Sequence, residues 1–465
     1  MNIGAIQTQS FDIIERVLKE AMTAGADECA AVLAGEDTGL TRFARNKIIQ
    51  NVAKSHHILT LAVAVGGREA GVSTDVLNEG SLRDVAREVV EMARMYPVNP
   101  EHTGPLEPVD ILPGDGFDLS TATFTQMDKA ERIRMICDEA SSHKLMAFGT
   151  LTTGWKYEAY GNSLGHRAWY PETIADFSLT VRTEGGEGSC RENRGYHRID
   201  RIAFSELLDR CLAWASWSRK AEHLSPGDYP VILTPTAALN YLAMVFWTMG
   251  ARQVTEKRSA LTSHFAVDDP IGKQLFSPLV SAYSRIHHPA CPSIPFGSTF
   301  DMDGFGGQGV VGNLFGSGVP SDDYPIIENG IQRHLFSSLF WARKNGVKPR
   351  AFPSLIEFTG TEKTLADLIA ETERAVLINS FWYIRFVDPN HLLLTGLTRD
   401  GVFLVENGKI VKPLKNLRFN ESPLVSLASI TTIGKPELRK AWFYNVLIPP
   451  VSVDTFTFSS ETEAV

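Results

Sequence analysis

Few groups in this 465-residue chain stand close enough in sequence to do chemistry together. His287-His288-Pro289-Ala290-Cys291 offers two imidazoles and a thiol, the donor types that hold zinc. No second cluster at ligand spacing accompanies it, and Pro289 and Pro292 interrupt it, so the segment reads as a surface loop. Ser189-Cys190 with His197 has the makings of a Cys–His nucleophile pair, but the spacing fits no known elbow and the pairing would depend wholly on the fold. Gly304-Phe305-Gly306-Gly307-Gln308-Gly309 spells a dinucleotide fingerprint. It lacks the strand before it and the helix after it, so the run Gly304–Gly318 reads instead as a loop covering a substrate groove. His334 reads as a satisfied polar residue, and no catalytic residue is assigned.

The remaining chemistry is recognition rather than catalysis. Trp382, Tyr383 and Arg385 share a strand-like run that Asp388-Pro389-Asn390 ends, and Arg399 follows in Thr398-Arg399-Asp400. Aromatic and guanidinium groups concentrated in this way suit a surface that grips something extended. A core strand with a structural Arg–Asp pair accounts for them equally well. Directly afterwards, Val402-Phe403-Leu404-Val405 and Ile410-Val411 flank Asn407-Gly408. That dipeptide accepts the positive φ angles of a type I′ turn and so predicts a hairpin. Consecutive apolar residues in its first strand predict burial on both faces.

The elements that must carry these residues follow from periodicity. Ser10 is expected to cap a helix over 11–23 that Gly25 ends, and Gly66-Gly67 to join strands 58–65 and 69–74. Ser81 and Asp84 form a capping box for a helix stopped by Pro97, and five prolines between 97 and 113 mark a stiff linker. A helix near 126–145, strands near 148–160 and 174–181, and a helix from Ser205 to about His223 come next. Pro226-Gly227-Asp228-Tyr229-Pro230 then turns into the buried strand Val231-Ile232-Leu233, with Pro235 opening a helix to about Met249. The fold class is α+β: α+β regions over 1–108 and 109–224, then a large, mainly antiparallel β-rich domain over 225–465.

Composition limits the function. With 43% hydrophobic and 21% charged residues the chain is an ordinary globular one. A net charge of -9 gives no general attraction to phosphate backbones, which argues against nucleic acid as the main ligand. Five scattered cysteines without a CxxC pair point to a reducing cytoplasm. The N-terminus has no secretion-signal pattern, and no apolar run of about 18 residues predicts a membrane span.

The WYIR run, the TGLTRDG turn, the VENGKI hairpin and the closing KNLRFNES resemble the C-terminal end of the TldD/PmbA family, once named modulators of DNA gyrase and now regarded as peptidases. Thr41 to Asn51, the Asn162-Ser163-Leu164-Gly165 turn and the Pro226 to Pro235 lead-in resemble further family signatures in the same order; the tail after residue 422 matches none. In the family's catalytic branch the helix after that lead-in carries His-Glu-x-x-x-His. Here the corresponding stretch, Leu242 to Ser259, contains no histidine. Gly250, Arg258-Ser259 and Asp268-Asp269-Pro270 instead resemble the metal-free PmbA or TldE branch.

The resemblance therefore implies a non-catalytic subunit of a metallopeptidase complex. It would pair as a heterodimer with a TldD-type metal-bearing subunit, carry no cofactor itself while the partner holds zinc, and help cleave unfolded or extended peptides, including in peptide maturation. Trp382, Tyr383, Arg385 and Arg399 would be its substrate-binding residues. Two other readings stay open: a self-sufficient hydrolase with an unrecognised site, and a homodimeric binding or scaffold protein.

Overall fold

The computed structural model describes residues 2–265, 271–297, 314–441 and 444–462. Asp268 to Pro270, and the part of the glycine-rich run from Gly304 to residue 313, lie outside them.

Among the described residues, five helices of twelve or more residues carry the helical part: α1 (Ile3–Ala24), α2 (Glu79–Met95), α3 (Gln126–Ser142), α4 (Phe204–Trp217) and α5 (Pro235–Phe246). Helix α1 starts earlier than expected, because Asn2 accepts from the Ala5 N–H as its cap; Ser10 is buried within the helix and donates to the Ile6 carbonyl. Gly25 does end it, in the left-handed conformation at φ 101°. Asn78 rather than Ser81 caps α2, accepting from the Ser81 N–H at 3.0 Å. In both cases a side chain further upstream reached the free N–H groups first.

Six antiparallel strands form the first sheet: β1 (Glu28–Ala44), β2 (Lys47–Val65), β3 (Arg68–Thr74), β4 (Leu145–Asn162), β5 (Arg167–Thr183) and β6 (Ser189–Tyr196), in the order β3-β2-β1-β4-β5-β6. The sheet thus runs without a break through both regions before residue 224. On β4, alternation sends Trp155, Tyr157 and Ala159 into the core with α1 and α2, and leaves Lys156, Glu158 and Tyr160 on the opposite face. The proline-rich segment after α2 is tied to both sides of the molecule. Glu101 accepts two hydrogen bonds from Arg252, at 2.7 and 2.8 Å, and the Leu106 carbonyl accepts from Asn162.

Strands β7 (Gly227–Leu233), β12 (Arg374–Asp388), β13 (Leu393–Glu406), β14 (Lys409–Pro413), β15 (Leu417–Glu421), β16 (Ile430–Ile433) and β19 (Val451–Glu461) make a second sheet that closes on itself. β7 pairs with β19, β19 with β15, β15 with β13, β13 with β12, and β12 in parallel with β7. Phe381, Phe419 and Phe456 pack against Tyr241 of α5 in its core. A third sheet takes β8 (Ala282–Ser284), β9 (Tyr324–Glu328), β10 (Ile331–Gln332), β11 (Leu355–Phe358), β17 (Glu437–Lys440) and β18 (Asn445–Ile448). Ile232, Leu377, Phe403 and Val405 of the closed sheet share one core with α3, α4 and the first sheet.

The expected hairpin is β13–β14. Asn407 and Gly408 sit at φ 50° and 75°, and Val402 to Val405 are all buried. A Cβ on Gly408 would come within 2.6 Å of the Ala370 carbonyl oxygen. Gly408→Ala therefore lowers the unfolding free energy in urea by roughly 2 kcal/mol. An unchanged midpoint would show that this turn relaxes freely.

Candidate functional site

Thr234 and Pro235 start α5 as the sequence predicts: the Thr234 hydroxyl accepts from the Ala237 N–H and donates to the Asn379 carbonyl of β12. Every residue of α5 is buried except Asn240 and Ala243. The helix is thus enclosed by protein on all sides but one. That open side faces a cavity of about 650 Å3, walled by Thr236, Asn240, Met244 and Trp247, by Ser380 to Phe386 of β12, and by Arg191 and Asn193 of β6. Asn240 holds the strand in place by accepting from the Phe381 N–H at 3.3 Å.

Beyond Ile378, β12 leaves its parallel partner β7, while its other edge stays paired to β13. A bulge between Trp382 and Arg385 breaks the alternation of the strand. Its central residue, Tyr383, is held at φ 55°, where a side chain crowds its own backbone. In consequence Trp382 and Tyr383, though adjacent, are 44% and 63% exposed. Tyr383→Asn, which tolerates this conformation better, raises the unfolding free energy by about 0.5–1 kcal/mol, measurable by urea titration; a loss of stability would mean that the tyrosine ring packs more than it strains.

Three of the four residues singled out in the sequence, Trp382, Tyr383 and Arg385, line this one cavity. The Arg385 guanidinium stacks on Tyr383 at 4.0 Å. Arg399, directly across the ladder from Ser380, covers the Trp382 ring at 4.6 Å but lines the neighbouring cavity of about 800 Å3. Thr398-Arg399-Asp400-Gly401, read as a turn in the sequence, lies inside β13, with Asp400 at φ 55° marking an irregularity rather than a chain reversal. Burial lowers the Arg399 pKa, Asp400 counteracts that, and Arg182 and Arg191 add to it. With Arg191 and Arg385 in the wall and no Asp or Glu lining it among the described residues, the cavity beside α5 is electropositive.

Sequence reasoning missed Thr236, Asn240, Met244, Arg191 and Asn193. The four-residue spacing of Thr236, Asn240 and Met244 on one helical face was the available signal.

The segments with possible catalytic chemistry do not form centres. Cys190 and His197 flank opposite ends of β6, roughly 20 Å apart along the strand. Burial pushes the Cys291 thiol up to about 12, with Glu172 adding to this; its sulfur accepts from the Asn445 amide, and His288 accepts from the Ala290 N–H inside its own loop. Helix α5 contains no His, Cys, Asp or Glu. Among the described residues no group of three or more such side chains is arranged to hold a metal ion, and no helix is long and apolar enough to cross a membrane.

No curated protein matches the sequence. Solved structures do match the fold. TldE from Thermococcus kodakarensis is 13% identical with a TM-score of 0.84, covering 96% of this chain and 100% of that one. A protein described as a candidate modulator of DNA gyrase from Bacteroides thetaiotaomicron is 17% identical with a TM-score of 0.81, covering 97% and 99%. Another so described, from Thermotoga maritima, is 17% identical with a TM-score of 0.80, covering 96% and 99%. The model of the PmbA/TldA metallopeptidase C-terminal domain matches residues 226–460, which include both β12 and, up to residue 460, the tail after residue 422 in which the sequence shows no family motif. With half of its length matched by that domain, the chain belongs to the TldD/PmbA family.

Proposed function

We propose that this chain is the metal-free subunit of a TldD/TldE-type metallopeptidase, pairing with a zinc-bearing TldD-type subunit and supplying part of the groove that holds an extended peptide. The observation that carries this reading is α5, the helix on which the family's catalytic branch carries His-Glu-x-x-x-His: here it holds no His, Cys, Asp or Glu, and it lines the cavity with Thr236, Asn240 and Met244. An extended peptide can add to the free edge of β12 by backbone hydrogen bonds, which demand little of its sequence. Trp382 and Tyr383 supply apolar contact, and Arg385 and Arg191 attract a carboxylate, either the peptide's C-terminus or an acidic side chain. This chain binds and aligns the substrate, and zinc held by the partner would supply the activated water for cutting the peptide bond. The five cysteines, all buried and free of disulfides, accord with a cytoplasmic setting.

The test is cleavage of an unstructured peptide by the purified chain alone, by the metal-bearing partner alone, and by both together. Activity is expected with the pair and is lost on chelation. Turnover by this chain alone, after chelator treatment, would falsify the reading.

A further inference from the structure

The face of the first sheet turned away from the helices carries charge where a covered sheet ordinarily carries apolar residues. Strand register aligns His56, Glu36, Lys156 and Glu172 in one row across β2, β1, β4 and β5. The adjoining row on the same face is Ile58, Ala34, Glu158 and Tyr170. The C-terminal region closes over these rows with Cys291, Ser293, Ser354, Lys440 and Asn445, enclosing a cavity of about 410 Å3. It shares no wall residue with the cavity beside Trp382.

Most charges in this cavity are matched within its walls. Lys156 Nζ lies 2.6 Å from Glu172, Lys440 pairs with Asp176, and Glu36 takes both Lys54 and His56. Glu158 is the exception. It forms no ion pair among the described residues, and its Oε1 is sealed from solvent with no hydrogen-bond partner. Tyr170, its cross-strand neighbour, is 1% exposed and also holds its hydroxyl without a partner. Folded proteins keep few such groups, and two neighbouring strands here present one each to the same cavity, where a polar ligand can pair with them. The sign of its charge follows from the walls: four carboxylates, Glu36, Glu158, Glu172 and Asp176, stand against three ammonium groups, Lys54, Lys156 and Lys440, with the imidazoles of His56, on Glu36, and His197 beside them. The nearby ammonium groups repel a divalent cation. A singly charged donor of several hydrogen bonds fits, which describes a protonated primary amine.

We propose that this cavity binds a small ligand or a peptide N-terminus through its protonated primary amine, held by the Glu158 carboxylate and the Tyr170 hydroxyl. The inference does not depend on the subunit role argued above. Burial pushes the Glu158 carboxyl up to about 7, Lys156 pulls it down and Glu172 pushes it further up. Across the cavity, burial and Arg198 lower the His197 pKa, against the pull of Asp118 and Asp115. An incoming amine must therefore displace a proton from Glu158. Affinity rises roughly tenfold between pH 6 and pH 8, while an alkylamine stays charged.

Calorimetric titration of the full chain tests this with three probes: n-butylamine, trialanine amide and N-acetyl-trialanine amide. Either of the first two binds, the tighter one identifying the source of the amine, with release of up to one proton near pH 7. The acetylated peptide binds at least tenfold more weakly than trialanine amide. Glu158→Gln weakens binding of the amine at least tenfold and abolishes the pH dependence; Tyr170→Phe weakens it three- to tenfold. Both variants are checked by thermal melting at pH 6, where wild-type Glu158 is itself largely protonated and E158Q should melt as the wild type does. Failure of both amines to bind at millimolar concentration, equal binding of the acetylated peptide, or unchanged binding by folded E158Q overturns the proposal.

Discussion

Replacing Glu192 by Gln is expected to lower the free energy of unfolding by about 3–5 kcal/mol, the largest loss anticipated for any single substitution considered. Glu192 of β6 is 1% exposed and sits among three arginines. Its oxygens lie 2.7 Å from Arg194, 3.2 Å from Arg210 of α4 and 3.6 Å from Arg439 of β17. Arg439 is fully buried, and its only other carboxylate among the described residues is Glu437 at 2.9 Å, which Arg194 shares at 3.1 Å. Removing the charge of Glu192 leaves Arg439 and Arg194, both buried, to share the single carboxylate of Glu437, and leaves Arg210 with Glu206 at 3.5 Å. The cluster also ties the first sheet to the third, so its loss loosens the seam between the N-terminal and C-terminal parts.

The pH dependence has a definite sign. Burial opposes ionisation of Glu192, but Arg439, Arg194 and Arg210 together outweigh it and hold its carboxyl below the usual range. A depressed folded-state pKa means the stabilisation is complete above the unfolded value, about 4.3, and fades as pH falls through the lower folded value. Urea unfolding of wild type and E192Q should therefore differ most at neutral pH and converge in acid. A difference below about 1 kcal/mol at pH 7 would mean that Glu437 and Glu206 together suffice for the three arginines.

Trp382→Ala is expected to reduce kcat/KM of the reconstituted peptidase pair about 30-fold, equivalent to about 2 kcal/mol of lost peptide contact. The ring lies over Arg399 on one side and in the wall of the cavity beside α5, yet is 44% exposed. Its contribution to folding is correspondingly small: loss of the cation–π contact costs about 0.5–1 kcal/mol. Comparing the two readouts separates recognition from packing, the alternative that the sequence left open. Peptide turnover within threefold of wild type, with unfolding shifted by more than about 2 kcal/mol, would return Trp382 to the role of a core residue.

What could be read without coordinates was whatever depends on near neighbours in the chain. Asn407-Gly408 forms its turn because two adjacent residues accept positive φ, and Thr234-Pro235 opens α5 because cap and first turn are contiguous. The motifs of the C-terminal half pointed to the family for the same reason. Local rules misplaced the start of α1 and the cap of α2, where Asn2 and Asn78 reached the free N–H groups ahead of the serines chosen. They also turned Arg399-Asp400 into a chain reversal that the long ladder with β12 overrides.

Tertiary structure alone decided which distant groups meet. Glu36 faces Lys156 across 120 residues because register aligns them, and Arg191 joins Asn240 and Trp382 only once β6, α5 and β12 converge. Side-chain type and spacing are properties of a segment. Strand register, the burial of a charge and the one open side of a helix arise from packing between segments, and no window of sequence contains them.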